Sequence, residues 1–349
     1  MDTFIGILLV TLAGLGTGTI AWPMKLMRTL SFEQYWFLAM LVSLVIFPWA
    51  VVLCCVPNPW EVYAKVGWQP ILLCNVFSIS WGIANVLYGI CVLRIGAALT
   101  GAVLSTLGAA AGVTMPMLLK GSGVFQHGPD LASKAGLVIL LAVAIIVVGV
   151  VLSTLAGLGR DRTLQKRTAA AGTSGSFLVG LTMAAVAGIL SAGLGLGFVY
   201  TQDPIIAAVK AQGGSVISQN MAVWAIGLLG GAAVNLGYPA WQMTKNRSWG
   251  AMFASGRDAA LAVVLGLQFI IAVALFGKGM LLLAVAAVGF GIQQAMQLLG
   301  NQMVGFFSGE WRGVGGKPLR LMIAAISVLL VAVCVLNLGQ YLAAKALAP

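Results

Sequence analysis

Long apolar runs broken by short polar stretches dominate the chain. Ten runs approach the roughly 20 apolar residues that a bilayer crossing needs. They cover residues 3–22, 34–56, 70–93, 97–119, 135–158, 176–201, 216–241, 258–277, 279–303 and 321–343. In hydrocarbon every backbone polar group must be satisfied within its own segment or by closing a barrel. The runs are too long and too uniformly apolar for barrel strands. The pattern therefore predicts an all-α membrane protein of about ten transmembrane helices. The first run lacks the basic start and small-residue cleavage site of a secretory signal, so it predicts a retained span.

Breaks in the pattern support these boundaries. Val56-Pro57-Asn58-Pro59-Trp60 follows the second run, and His127-Gly128-Pro129-Asp130 follows the fourth. Residues 159–175 form the longest polar linker, hold four basic residues and divide the chain near its midpoint. The expected organisation is a five-helix repeat over 1–158, a basic linker over 159–175 and a second five-helix repeat over 176–349. Ala13–Gly18 resembles Ala192–Gly197, a shift of 179 residues, and Phe47-Pro48-Trp49-Ala50 resembles Tyr238-Pro239-Ala240-Trp241. An odd number of spans per half predicts that the halves are inverted, with a substrate site between them near mid-membrane.

Charge sets an expected orientation. The loops after runs 1, 3, 5, 7 and 9 hold 13 of the 19 Lys and Arg residues. Such loops stay cytoplasmic, which puts the 159–175 linker inside and both termini outside, in the periplasm of a Gram-negative cell. Composition agrees with a lipid environment: 60% of residues are hydrophobic and 8% charged, against roughly 25% charged in soluble domains. The net charge of +11 does not point to nucleic acid, because no soluble module presents a basic, aromatic-interleaved patch.

Several chemistries are excluded. The chain has no GxxxxGK[ST] phosphate loop, no HExxH, no GxSxG and no paired carboxylates in a span, so neither ATP hydrolysis nor another enzyme activity is expected. The five cysteines, Cys54, Cys55, Cys74, Cys91 and Cys334, lie in apolar stretches without ligand spacing, and His127 stands alone. These features predict inert buried thiols and neither a metal site nor a cofactor.

Polar residues inside spans are costly and therefore informative. In the third run Asn75, Ser78, Trp81, Gly82, Asn85, Tyr88 and Gly89 recur at helical spacing on one face. In the ninth, Gln294, Gln297 and Asn301 share a face, with Gln293 beside it. Amides can donate to and accept from sugar hydroxyls, and rings can stack on a pyranose. The same residues could instead join helices by hydrogen bonds. Gly101, Ser105, Gly108 and Gly112 in the fourth run form small-xxx-small patterns. These favour close packing within the chain, with a homodimer contact as the other reading. The acids near membrane depth are Glu33, Asp203, Asp258 and Glu310, all at span ends, where charges ordinarily act as interfacial anchors.

Trp81-Gly82-Ile83-Ala84-Asn85-Val86-Leu87-Tyr88-Gly89 matches a W-G-I-x-N-x-x-Y-G run. Also present, in order, are Pro23-x-Lys25 before Ser31-Phe32-Glu33, Phe47-Pro48-Trp49-Ala50, Pro57-Asn58-x-Trp60, Ser191-Ala192-Gly193, Asn235-Leu236-Gly237, Gln268-Phe269 and Glu310-Trp311. In these features the chain resembles the L-rhamnose–proton symporter family of the drug/metabolite transporter superfamily. The resemblance covers most of the length. It implies ten helices, sugar uptake, coupling to protons and a bacterial inner membrane, and it draws attention to Lys25, Glu33, Trp81, Asn85, Tyr88 and Gln268. The eighth run lacks the aromatic character expected there, and the surroundings of Asp203 and Lys210 differ from the family pattern, which leaves the sugar open.

The resulting expectation is a proton-coupled sugar importer. Trp81, Asn85, Tyr88, Gln268, Gln294, Gln297 and Asn301 are its candidate substrate residues. Glu33, Asp203 and Lys25 are its candidate coupling residues. The partners are a sugar, a proton and the bilayer. The rivals are an exporter of the same superfamily and a sugar sensor that does not transport.

Overall fold

The computed structural model describes residues 2–118, 132–168, 174–282 and 286–347. The expected break at His127–Asp130 lies outside them. All regular structure among the described residues is helical. The helices are α1 (Asp2–Gly18), α2 (Ala21–Leu26), α3 (Phe32–Leu41), α4 (Phe47–Cys55), α5 (Pro59–Val66), α6 (Trp68–Ile95), α7 (Ala97–Leu118), α8 (Lys134–Thr168), α9 (Ser174–Ala211), α10 (Val216–Gly227), α11 (Leu229–Lys245), α12 (Gly256–Leu282), α13 (Ala286–Phe307) and α14 (Lys317–Leu347). Seven helical stretches are long and apolar enough to cross a membrane, and the bent pair α10–α11 makes an eighth.

The surface is that of a protein solvated by lipid. On α8, Leu137, Leu141, Val148, Val151 and Leu155 are exposed along one helical face, and on α14 Ile323, Val331 and Leu338 are exposed. Exposed Trp60 and Trp68 mark one end of the bundle, while Trp22, Trp241 and Trp249 mark the other. Paired tryptophan belts of this kind sit at the two membrane interfaces. Cys54, Cys55 and Cys334 are also exposed, so only Cys74 and Cys91 are the buried thiols expected of all five.

Several boundaries differ from the expected ones. The second run is not one continuous α-helix: Val42–Ile46 forms a π turn between α3 and α4. Pro48 lacks an N–H and crowds the carbonyl four residues back, and the ladder answers by widening one turn earlier, with the Phe47 N–H on the Val42 carbonyl. The seventh run breaks between α10 and α11 with a bend of 50°. The break frees N–H groups that cannot be left bare in hydrocarbon. Asn75 Oδ1 accepts from Gly230 N at 2.6 Å and Ser78 Oγ accepts from Gly231 N at 2.9 Å. The eighth run extends through Lys278 to Leu282, and α8 continues as helix into the expected linker, through Thr168.

The halves interleave. Helix α1 packs on α12 and α13, α9 on α6 and α7, α3 on α11 and α12, and α8 on α14. Glycines permit this closeness. A Cβ on Gly82 would lie 2.8 Å from Gly231 Cα, and one on Gly14 would lie 2.4 Å from the Gln293 carbonyl oxygen. The small residues of α7 serve the same purpose within the chain, with Gly101 against Asn301 and Gly108 against Ser191. The 179-residue shift does not carry over to packing. Gly14 and Gly18 meet α13, whereas Gly193 and Gly197 meet α6. It is Gly188 that meets α7, against Leu104 and Leu107.

Overpacking a tight helix contact costs about 1–3 kcal/mol. Gly82→Val should therefore lower the melting temperature of detergent-purified protein by several degrees. Gly237→Ala, where a Cβ meets no atom within 4 Å, should leave it unchanged.

Candidate functional site

The bundle contains a cavity of about 70 Å³, enough for several waters at roughly 10–15 Å³ each. Its walls come from both halves. Helix α6 supplies Trp81, Asn85 and Tyr88, and α13 supplies Phe290, Gln293, Gln294 and Gln297. Helix α1 adds Thr17 and Ile20, α9 adds Ser191 and Leu194, and α12 adds Phe269, Val273 and Phe276. Amides, hydroxyls and aromatic rings all contribute to the lining. Trp81 and Phe269 stack with centroids 5.8 Å apart, and Phe276 meets Phe290 at 6.2 Å.

Hydrogen bonding separates residues that face the cavity from residues that hold helices together. Asn75 and Ser78 cap the start of α11 and are structural. Asn85 has a share in both roles. Its Nδ2 donates to Asn235 Oδ1 at 2.9 Å, and Trp36 Nε1 donates to the same oxygen at 3.0 Å. Asn85 Oδ1 takes no hydrogen bond among the described residues and borders the cavity. Tyr88 donates to Asn301 Oδ1 at 2.8 Å, which leaves its oxygen able to accept. Gln293 Nε2 donates to Thr17 Oγ1 and to Gln297 Oε1, at 3.1 and 3.2 Å. Gln294 is buried, and its Oε1 has no hydrogen-bond partner among the described residues. A buried unpaired acceptor costs about 1–3 kcal/mol, and this one belongs to a residue of the cavity wall.

Five of the seven candidate substrate residues line the cavity: Trp81, Asn85, Tyr88, Gln294 and Gln297. Asn301 stands one layer behind, fixing the Tyr88 hydroxyl. Gln268 is not in the wall. Its Nε2 donates to the Gly16 carbonyl and to Thr19 Oγ1, both at 2.9 Å, and so ties α12 to the end of α1. The residue beside it in sequence, Phe269, faces the cavity instead. Sequence reasoning missed Thr17, Ser191 and the α12 rings. The rings were signalled only by their i, i+7 spacing in an otherwise aliphatic run.

The charged candidates lie elsewhere. Asp203 is exposed on α9, and Glu33 is half-buried in the first turn of α3. Asp258 is no interfacial anchor: it is buried, and its Oδ2 accepts from the backbone N–H groups of Arg28, Thr29 and Leu30 at 2.9, 2.6 and 3.2 Å. Glu310 is not one either. Its side chain is 9% exposed and meets Lys25 Nζ at 2.7 Å. No group of three or more His, Cys, Asp or Glu with metal-holding geometry occurs among the described residues.

A multi-pass helical bundle around a small chamber of amides and rings defines a membrane protein built to bind a neutral polar solute. A model of the L-rhamnose-proton symport protein family matches residues 2–343, and the chain belongs to that family. An L-rhamnose-proton symporter of Pectobacterium carotovorum subsp. carotovorum is 27% identical over 329 residues, covering 91% of this chain and 92% of that protein. One from Pectobacterium atrosepticum is 26% identical and one from Escherichia coli O1:K1 / APEC is 23% identical, each at the same coverage. The family is one of transporters, not enzymes.

Two substitutions separate a helix-joining residue from a ligand-facing one. Asn235→Leu strands the Trp36 and Asn85 donors and should destabilise the protein by about 1–3 kcal/mol for each, read as a lower melting temperature. Gln294→Leu removes an unpaired oxygen, so it should leave the melting temperature at or above wild type while abolishing any stabilisation by added sugar.

Proposed function

We propose that this protein is a secondary active transporter that imports L-rhamnose, or a closely related monosaccharide, together with protons across the bacterial inner membrane. The observation that carries this reading is the composition of the cavity wall. The polar residues Asn85, Tyr88, Gln294 and Gln297 share the lining with the rings of Trp81, Phe269 and Phe276. A 6-deoxy hexose has matching chemistry: a ring of hydroxyls, an apolar face for stacking and a methyl group in place of one hydroxymethyl. Family membership and the names of the relatives supply the same substrate and the same coupling ion.

Packing supports two inverted five-helix repeats with ten crossings, the further two supplied by α7 and α13. Exchanging each span for the one five later turns the contacts of α1 with α12 and α13 into those of α9 with α6 and α7. It turns α6–α11 into α12–α3, and α13–α14 into α7–α8. The two interrupted spans, the second and the seventh, are also partners under this exchange. Interrupted helices at matching positions of two repeats are a mark of transporters that rock about a central site. In this reading the ends carrying Lys25, Arg94, Arg160 and Arg312 face the cytoplasm, and both termini face the periplasm.

Proteoliposomes give the direct test. Labelled L-rhamnose should accumulate when the outside is made acidic and should only equilibrate when both sides have the same pH. Accumulation that ignores the gradient would refute symport. Binding without any flux would favour a sensor, and expulsion of preloaded sugar against its own concentration gradient, driven by inward protons, would favour an exporter.

A further inference from the structure

No acidic residue lines the cavity among the described residues, so a symporter of this design must read the proton at a distance from the sugar. Glu310 has the contacts for that task. It follows α13 and joins three other elements at the basic end of the bundle. Its carboxylate meets Lys25 of α2 at 2.7 Å and Arg160 of α8 at 3.9 Å. It also accepts from the first backbone N–H groups of α7, Ala97 at 2.6 Å and Ala98 at 3.3 Å.

Local structure is built around this carboxylate. The link between α6 and α7 is the single residue Gly96, with φ +88°, and a Cβ there would lie 2.4 Å from a Glu310 carboxylate oxygen. Glycine is needed at Gly96 both for that backbone conformation and for the approach. Arg160 is braced in turn, with one guanidinium nitrogen 3.1 Å from the Ile95 carbonyl oxygen and the group 5.6 Å from the centre of the Trp311 ring.

Tyr88 lines the cavity and donates to Asn301 on α13, the helix that Glu310 follows. Lys25, Arg160, the α7 amides and Tyr88 are the charged and titratable groups that face the carboxylate from the elements around it.

We propose that Glu310 is the coupling residue of the symport cycle, and that its ion pair with Lys25 is a proton-operated latch closing the cytoplasmic end. The inference rests on the symport reading. In the described state Glu310 meets Lys25 and the latch is shut. A proton that enters from the outer side by way of the cavity binds one carboxylate oxygen, and no covalent bond breaks elsewhere. Neutralising the carboxylate cancels its attraction for Lys25 and Arg160 and weakens its hold on the start of α7. The end is then free to open with sugar bound. Opened to the cytoplasm, Glu310 returns the proton to water, and the renewed charge draws Lys25 back and closes the empty carrier. Alternating presence of one charge thus supplies the differential contact that a coupled transition requires.

Proteoliposomes loaded with wild type, Glu310→Gln or Lys25→Gln give the test. Wild type should concentrate labelled L-rhamnose under an inward proton gradient. Glu310→Gln should lose that accumulation to background. It should nevertheless exchange labelled for unlabelled L-rhamnose at equal pH, at a rate that no longer varies with pH. Lys25→Gln spares the cap on α7 and so guards against a folding defect. It should cut gradient-driven accumulation by roughly 5–150-fold, the usual span of coupling between sites, while exchange continues. Glu310→Gln accumulating sugar like wild type, or Lys25→Gln leaving accumulation unchanged, would overturn the latch while leaving symport intact. A wild type that exchanges L-rhamnose but ignores the gradient would overturn symport, and the latch with it.

Discussion

The absence of water in the bilayer core constrains everything else in this molecule. A polar group that finds no partner inside the protein finds none at all. The chain meets that demand with helices, and where a helix breaks, neighbouring side chains complete it. The freed amides at Gly230 and Gly231 are taken by Asn75 and Ser78 from α6. Asp258 closes the turn at Arg28, Thr29 and Leu30 in the same manner, and Glu310 closes the start of α7. Gln294 and Asn85 stand apart in that each belongs to the cavity lining, and Gln294 Oε1 has no hydrogen-bond partner among the described residues.

Close helix contacts follow from the same solvent. Lipid tails give helices little hydrophobic reason to associate, so contact area and short approach must supply the cohesion. Gly14 and Gly18 let α1 ride on the carbonyls of α13, and Gly82 with Gly231 brings α6 onto α11. Contacts made through small residues are shape-matched yet carry few side-chain interlocks. Surfaces of that kind can slide or rock without breaking many directed bonds, whereas the polar ties are concentrated at the breaks and at the ends.

Much of this was legible in the sequence, and the failures have identifiable causes. Hydropathy sufficed for the all-helical membrane class and for seven long apolar spans because lipid punishes error so heavily. Trp81, Asn85 and Tyr88 were recoverable because a polar stripe in a span has few explanations, and Gln294 and Gln297 for the same reason. Periodicity could not tell Asn75 and Ser78, which cap a helix, from Asn85, which does not, because the distinction depends on a bend in a helix 150 residues away. Gln268 looked like a ligand, yet one residue of helical rotation sends it to α1 and sends Phe269 to the cavity. The π turn at Val42–Ile46 is invisible to any pattern of period 3.6, although Pro48 was the visible cause. Span-end acids looked like anchors because their partners, loop amides and a lysine from another helix, are far away in sequence.

Charge distribution sets the logic of the transport cycle. A neutral solute is best held by a neutral chamber, because a carboxylate among the sugar contacts would bind the sugar differently in each protonation state and would cost heavily to bury when empty. This protein keeps its ionised groups at the ends of the bundle, where backbone amides and counter-charges satisfy them. A proton can then act only through the shape of the protein, by changing which helix ends are tied together. In the proposed cycle sugar would act on the same shape through Tyr88, which lines the cavity, and its partner Asn301. Two ligands that never touch are linked because each biases the same pair of packings, and the size of that linkage is bounded by the ties that differ between them.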